Sequence, residues 1–200
     1  FRSEKVSYFL STSYLSQDGI VGGGDKSNFN RINLTANLNF DLTSKLKLIL
    51  NTTYVNIKNR TVAENSFNSI LGSALNFDPT VPVYNTVPNT VGTYGFSNLL
   101  KSEIFNPLTS LQNTHNANNG NKLYGKIELQ YDILKNLKVT SRFGYTKWDQ
   151  VGKSFTPLAF YGTSNVDNSM NADGTSVAGK HNSVYEYTLS NFDFTQENFL

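Results

Sequence analysis

The sequence predicts an all-β protein: an antiparallel transmembrane β-barrel segment, about six strands of a larger barrel, with long extracellular loops carrying short helices. Three observations predict it. Apolar and polar residues alternate over long runs, one fifteen-residue stretch is written twice, and tight connections alternate with very long ones.

The alternation is clearest at Ile32, Leu34, Ala36, Leu38 and Phe40, set against Arg31, Asn33, Thr35, Asn37 and Asn39. A period of two puts these sets on opposite faces of a strand. Leu123, Ile127, Leu129 and Tyr131 repeat it against Lys122, Lys126, Glu128 and Gln130, and Leu137, Val139, Phe143 and Tyr145 repeat it against Lys138, Thr140, Arg142 and Thr146. Further strands are read at about 5–15, where Val6, Tyr8, Leu10 and Tyr14 share a face, and from about 183, where Tyr185, Tyr187 and Leu189 do. The last loses its pattern at "NFDF". Most of the strands are roughly 10 to 13 residues long, against about 5–6 in an average soluble sheet.

The repeat pairs "FDLTSKLKLILNTTY" (40–54) with "YDILKNLKVTSRFGY" (131–145). Aromatic, Asp, Leu-Lys-aliphatic and closing aromatic fall at equal spacing, so each copy reads as a β-hairpin around a tight turn. The connections run medium (16–28), tight (41–45), very long (59–120), tight (133–136) and long (150–181). Structureless loops beyond about 12–15 residues are uncommon in compact domains. Outer-membrane barrels have short turns at the periplasmic rim and long loops at the extracellular one, and the two tight turns are expected in the periplasm.

Aromatic positions fit that orientation. Tyr14, Phe29, Tyr54, Tyr124, Tyr145 and Trp148 fall near the long-loop ends of their strands, and Phe40 and Tyr131 near the tight-turn ends. Rings with a polar tip collect at membrane interfaces, so the eight are expected to form an aromatic girdle; the simpler account is that aromatics favour strands. Within the loops, Phe67, Ile70, Leu71, Ala74 and Leu75 have helical spacing before "DPTVP", and "NPLTSL" offers Asn106 as a cap with Pro107 at the first helical position. For cargo contact, Tyr84, Tyr94, Phe96, Phe160 and Tyr161 are the candidates, taken as exposed loop rings that stack on sugars or peptide side chains. The competing role for each is packing within its own loop.

Composition narrows the function classes. With 17 basic and 15 acidic residues in 200, the formal charge is +2, which leaves no footprint for nucleic acid. The chain has no Cys, hence no disulfide, thiolate metal site or cysteine nucleophile. No apolar run approaches the roughly 20 residues of a spanning helix. The opening "FRSEKVSYFL" lacks Met and a leader pattern and is taken as the start of an internal piece.

The remaining motifs have plain explanations. In "GGGDKS" (22–27) Asp25 intrudes before Lys26 and a strand follows, so a hairpin tip explains the glycines better than a phosphate loop. "NVDNSMNADGTS" (165–176) has Ser169 and Lys180 where a calcium loop needs acids, and reads as a polar surface loop. His115 and His181 lie in different loops without zinc spacing or a nucleophile motif, so no catalytic set, metal site or cofactor is expected. The "NLT", "NTT" and "NRT" triplets are expected by chance in an Asn-rich chain. Arg31, Lys47, Lys126, Glu128, Lys138 and Arg142 would line a wet lumen or face a plug.

The residues resemble the SusC/RagA family of TonB-linked outer-membrane transporters. The resemblance rests on "YFLSTSYLSQDGIV", "FNRINLTANLNFDLTSKLKL", "PVYNT", "NPLTSL", "LYGKIELQYDILKNLKVTSRFGY" and "TQENFL", in family order over most of the chain. It implies a barrel of some twenty-two strands in the outer membrane of a Gram-negative bacterium, an internal plug that contacts TonB, a SusD-like surface lipoprotein as lid, and import of oligosaccharides or peptides. Residues 1–200 would then be a slice of barrel wall in contact with lipid, without the plug and the remaining strands. The rival is a soluble secreted β-rich adhesin or glycan-binding module whose alternation faces an internal core; an outer-membrane enzyme or passive porin is the third reading.

Overall fold

A computed structural model describes residues 5–66, 69–97 and 104–200. The strands β1 (Val6–Asp18), β2 (Asn28–Asp41), β3 (Leu46–Arg60), β4 (His115–Leu134), β5 (Leu137–Thr156) and β6 (Ser183–Phe199) form one antiparallel sheet in chain order, each paired with the next. Among the described residues three short helices lie in the connections: α1 (Gly23–Lys26), α2 (Ile70–Asn76) and α3 (Pro107–Asn113). The expected all-β antiparallel architecture is therefore present, with six strands.

The register explains the repeat. Asp41 pairs with Lys47 and Asp132 with Lys138, so the copies are the same hairpin base built twice. In each an ion pair crosses the turn, at 3.5 Å and 3.8 Å. The turns differ inside this common base. The first is held by the Thr43 hydroxyl, which accepts from the N–H groups of Lys45 and Leu46; the second has only Lys135 and Asn136 between its strands, with an irregularity between Asp132 and Leu134.

The strands outrun their sequence patterns. β4 and β5 have 20 residues each, so the long connections shrink to 61–114 and 157–182. "HNANNGNK" (115–122) has no alternation to mark it, yet all of it pairs with β5 and its residues 118–122 also with β3, because ladder hydrogen bonds are made by backbone whatever the side chains. β6 likewise keeps an unbroken ladder through "NFDF". Only the side of the rings changes there, from Tyr185 and Tyr187 on one face to Phe192 and Phe194 on the other.

Paired residues share a face. One face carries Tyr8, Leu10, Ile32, Leu34, Leu38, Leu48, Leu50, Leu123, Ile127, Leu129 and Phe143. The described residues lay no second layer over it, and Leu10, Leu34, Leu129 and Phe194 are among the exposed large apolar residues. Among the described residues the buried apolar ones are Val62, Ile70, Phe96, Phe105, Ala159 and Phe160, all from the two long connections. The core thus sits in the loops, and the sheet is a wall.

Helix α3 forms as its sequence foretells: Asn106 Oδ1 accepts from Leu108 N–H at 3.0 Å, with Pro107 in the first turn. Helix α2 is capped by the Ser69 hydroxyl, which accepts from Gly72 N–H at 3.0 Å. Phe67, expected on that helix, lies outside the described residues. The glycine tip folds into the single helical turn α1, entered through Gly22 at φ 78°.

Candidate functional site: the polar face and the loop body

The second face carries Arg31, Asn33, Asn37, Lys47, Asn51, Lys126, Glu128, Lys138 and Arg142. The six residues expected to share an inward parity therefore do share a face. Near the tight-turn end Glu128 is the hub, its side chain only 4% exposed. Lys126 Nζ and Arg142 Nε approach one carboxylate oxygen at 2.9 and 2.8 Å, and Gln130 Nε2 donates to the other at 2.6 Å. Arg142 also reaches Glu197 at 3.1 Å, joining β4, β5 and β6. A buried carboxylate is tolerable only with donors of this number and charge.

Above this cluster a groove of about 440 Å³ opens, lined by Asn37, Asn51, Thr53, Lys126, Asp193 and Thr195. It lies beside Gly144, where the lack of a side chain leaves room. Higher still the face becomes aromatic. Trp148 lies across Gly120, where an added Cβ would stand 2.5 Å from the ring, and Tyr187 lies across Gly152 in the same way. The Tyr187 hydroxyl donates to Asn118 at 3.1 Å and accepts from Gln150 at 2.8 Å. Lys122 stands 5.3 Å from the centre of the Tyr124 ring. These glycine–aromatic partnerships were legible only as isolated glycines within strands.

The register divides the eight girdle residues. Tyr14, Phe40, Tyr54, Tyr131 and Tyr145 fall on the apolar face, whereas Phe29, Tyr124 and Trp148 fall on the polar face. One belt on one side of the sheet can include only the first five, because odd and even positions point in opposite directions. At its upper edge the Tyr14 and Tyr54 hydroxyls donate to Asn30 at 3.2 Å and Asn121 at 2.7 Å, one rung further out. The band from Ile32 to Phe40 is about 27 Å of strand. Tilted as barrel strands are, that is about 19–22 Å of height, close to the roughly 25 Å apolar band of outer-membrane barrels.

The long connections fold on one another. Phe96 meets Phe160 edge-on with centroids 5.4 Å apart, and Phe105 stacks on Tyr161 at 4.6 Å. Val91 N–H donates to Ala172 at 2.7 Å, and Asn106 Nδ2 to Gly95 at 2.8 Å. Phe96 and Phe160, expected as exposed rings, are buried because each fills the space the other leaves. Tyr161 is half-buried against Phe105, and burial pushes its phenol above the ordinary value while a hydrogen bond with Asn113 works the other way. Tyr84 is 65% exposed and stacks on Tyr94 at 6.1 Å. Of the five ring candidates, this pair alone keeps an open member.

His115 sits at the start of β4 against Phe155, and His181 lies near the end of the second long loop. No group of three metal-ligating side chains occurs among the described residues. In the Asn165–Ser176 loop, Asp173 accepts from the N–H and hydroxyl of Thr175, a local turn bond.

No protein-family model matches the chain. In sequence it is similar to TonB-dependent receptor P26 of Formosa agariphila, 29% identical over 144 residues, which cover 70% of this chain and 13% of that protein. It is also similar to TonB-dependent receptor P3 of the same organism, 25% identical over 158 residues, covering 76% and 15%. In fold it matches part of the RagAB peptide transporter, with TM-score 0.55 at 12% identity over 96% of this chain and 28% of that one. The RagAB peptide importer in its open-open state gives 0.56, with 98% of this chain covered. The chain thus spans about 13–15% of the length of these curated relatives. The resemblance to SusC/RagA-type TonB-linked transporters, read from the residues, is borne out by these likenesses.

Proposed function

We propose that this chain is a section of barrel wall in a TonB-dependent outer-membrane transporter, with its apolar face against lipid and its polar face toward the passage. The observation that carries the proposal is the uncovered apolar band, closed above by Tyr14 and Tyr54 with their hydroxyls turned to asparagines. A soluble adhesin would cover that band with a second layer, and the described residues supply none. Unpaired backbone groups cannot face hydrocarbon, so the outer edges of β1 and β6 are continued by further strands.

In this reading the cargo is an oligosaccharide or peptide, taken up with a SusD-like lid lipoprotein and driven through TonB at a plug region, in a Gram-negative outer membrane. The likeness in fold to RagAB, a peptide importer, supports the peptide alternative. Tyr84 and Tyr94 would meet cargo or lid at the rim. Tyr124, Trp148 and Tyr187 would meet cargo along the wall, and Glu128 with its partners would face the plug. Transport here needs no catalytic set, consistent with relatives named as receptors and transporters.

The test is fluorescence in brominated lipid. Trp148, on the polar face, is expected to keep its emission; Tyr54→Trp in a Trp148→Phe background is expected to be strongly quenched. Emission from position 54 that ignores brominated chains would overturn the lipid-facing assignment.

A further inference from the structure

Above the tyrosine edge the apolar face turns polar, and near its top it opens into a pocket of about 480 Å³ whose lining includes Asp25, Lys26, Arg60, Ala117, Lys153 and Phe155. Its geometry follows from the register. Ala117 pairs with Lys153, and Arg60 follows Asn59, which pairs with Asn118, so a methyl group lies between two long cations. Those cations stand two strand spacings apart, about 10 Å, a gap that two long side chains can span.

The charges are held but not cancelled. Arg60 donates to the backbone carbonyl of Asp25 at 2.9 Å, and Lys26 Nζ to the carbonyls of Gln112 and Thr114 at 3.0 and 2.9 Å. Backbone carbonyls fix a cation without neutralising it. Lys153 has a carboxylate partner, Glu186 at 3.5 Å, but both side chains are more than half exposed, and such pairs exchange readily with solvent and other anions. Three positive charges, Lys26, Arg60 and Lys153, therefore surround the pocket against two carboxylates, Asp25 and a loosely held Glu186.

Height decides what anion this is. Arg60 lies six residues beyond Tyr54, about 20 Å of strand and roughly 15 Å above the edge of the apolar band after tilt. The headgroup layer of an ordinary phospholipid is only about 5–8 Å deep. Between the two levels the same face carries Asn30, Asn56, Asn119, Asn121 and Lys58, a surface of amide donors and acceptors suited to sugar hydroxyls.

We propose that this outward face is a binding surface for a phosphorylated glycolipid: acyl chains against the apolar band, sugar rings against the asparagines, and a headgroup phosphate between Arg60, Lys153 and Lys26. The proposal rests on the lipid-facing assignment above. The test uses the full-length protein in a non-ionic detergent, titrated with rough lipopolysaccharide carrying inner-core phosphates, with the same glycolipid dephosphorylated, with phosphatidylglycerol and with inorganic phosphate, bound lipid being counted by native mass spectrometry. The expected result is that Arg60→Gln/Lys153→Gln lowers affinity for the phosphorylated glycolipid at least tenfold, leaves the dephosphorylated form and phosphatidylglycerol unchanged, and that inorganic phosphate competes only weakly. Ala117→Asp, which places a carboxylate in the pocket and leaves every cation in position, is expected to do the same. Wild-type protein that does not distinguish the two glycolipids, or variants that bind like wild type, would overturn the proposal, as would phosphatidylglycerol or free phosphate showing the same loss. Quenching at Tyr54→Trp reports separately on the lipid-facing assignment, so the two failures are distinguishable.

Discussion

At the residue scale, Glu128 and Gly162 are the positions where a single change should be felt most. Glu128→Gln keeps the volume and removes the charge that Lys126 and Arg142 face, with an expected loss of about 1.5–3 kcal/mol, the usual worth of hydrogen bonds to a charged group. It should appear as a lower temperature at which the folded band disappears on heat-modifiability gels. Gly162 has φ 129°, and an added Cβ would stand 3.0 Å from Phe96 Cβ. Gly162→Ala is expected to cost about 1–3 kcal/mol of local stability, read as faster hydrogen exchange at Ala159, whose N–H donates to the Ser169 hydroxyl. The Thr80 hydroxyl and N–H hold the Asp78 carboxyl below the ordinary value. Because the folded pKa is depressed, this turn gains its support above the unfolded value of Asp and loses it as pH falls through the folded one. An NMR titration should show Thr80→Val moving Asp78 back up; an unmoved carboxyl would contradict the assignment. Of these three residues, only Glu128 was legible in the sequence, by its parity. Its contact with Arg142 on β5, and that of Arg142 with Glu197 on β6, were not, since they depend on which strands pair and in what register.

At the element scale, local signals and outcomes agree wherever the signal is a backbone requirement. Asn106 and Pro107 mark the start of α3 in sequence and in structure. Asn106→Ala is expected to cost about 1 kcal/mol or somewhat more, since the same side chain also donates to Gly95 in a buried setting; hydrogen exchange of Leu108 and Thr109 would report it. The twinned hairpin bases were legible as a repeat, but their ion pairs are half exposed. Lys47→Gln should therefore change stability by less than about 1 kcal/mol. Strand length was legible only where one face is greasy. The polar upper halves of β4 and β5 have no facial contrast to read, and their pairing is a property of the neighbouring backbone. The five rings offered for cargo divide for a related reason: sequence marks a ring as lying in a loop, and only the meeting of two loops buries Phe96 against Phe160.

At the scale of the whole molecule, the sheet has two unpaired outer edges among the described residues and an uncovered apolar face. Both are aggregation liabilities in water. Residues 1–200 expressed alone are expected to aggregate or to require detergent; a monodisperse monomer melting cooperatively in plain buffer would contradict the wall reading. With a sheet that buries so little, cohesion of the described residues depends on ladder hydrogen bonds, the Glu128 cluster and the loop body.

The sequence by itself determined that the chain is β-rich, where its turns lie, which residues share a face and that two hairpins are copies, because each is set by a two-residue period or a local backbone preference. The tertiary structure decided which side chains of neighbouring strands meet, how far the polar strands run and which loop rings are buried. Those depend on register between strands and on contacts between loops far apart in the chain, and no local pattern encodes them.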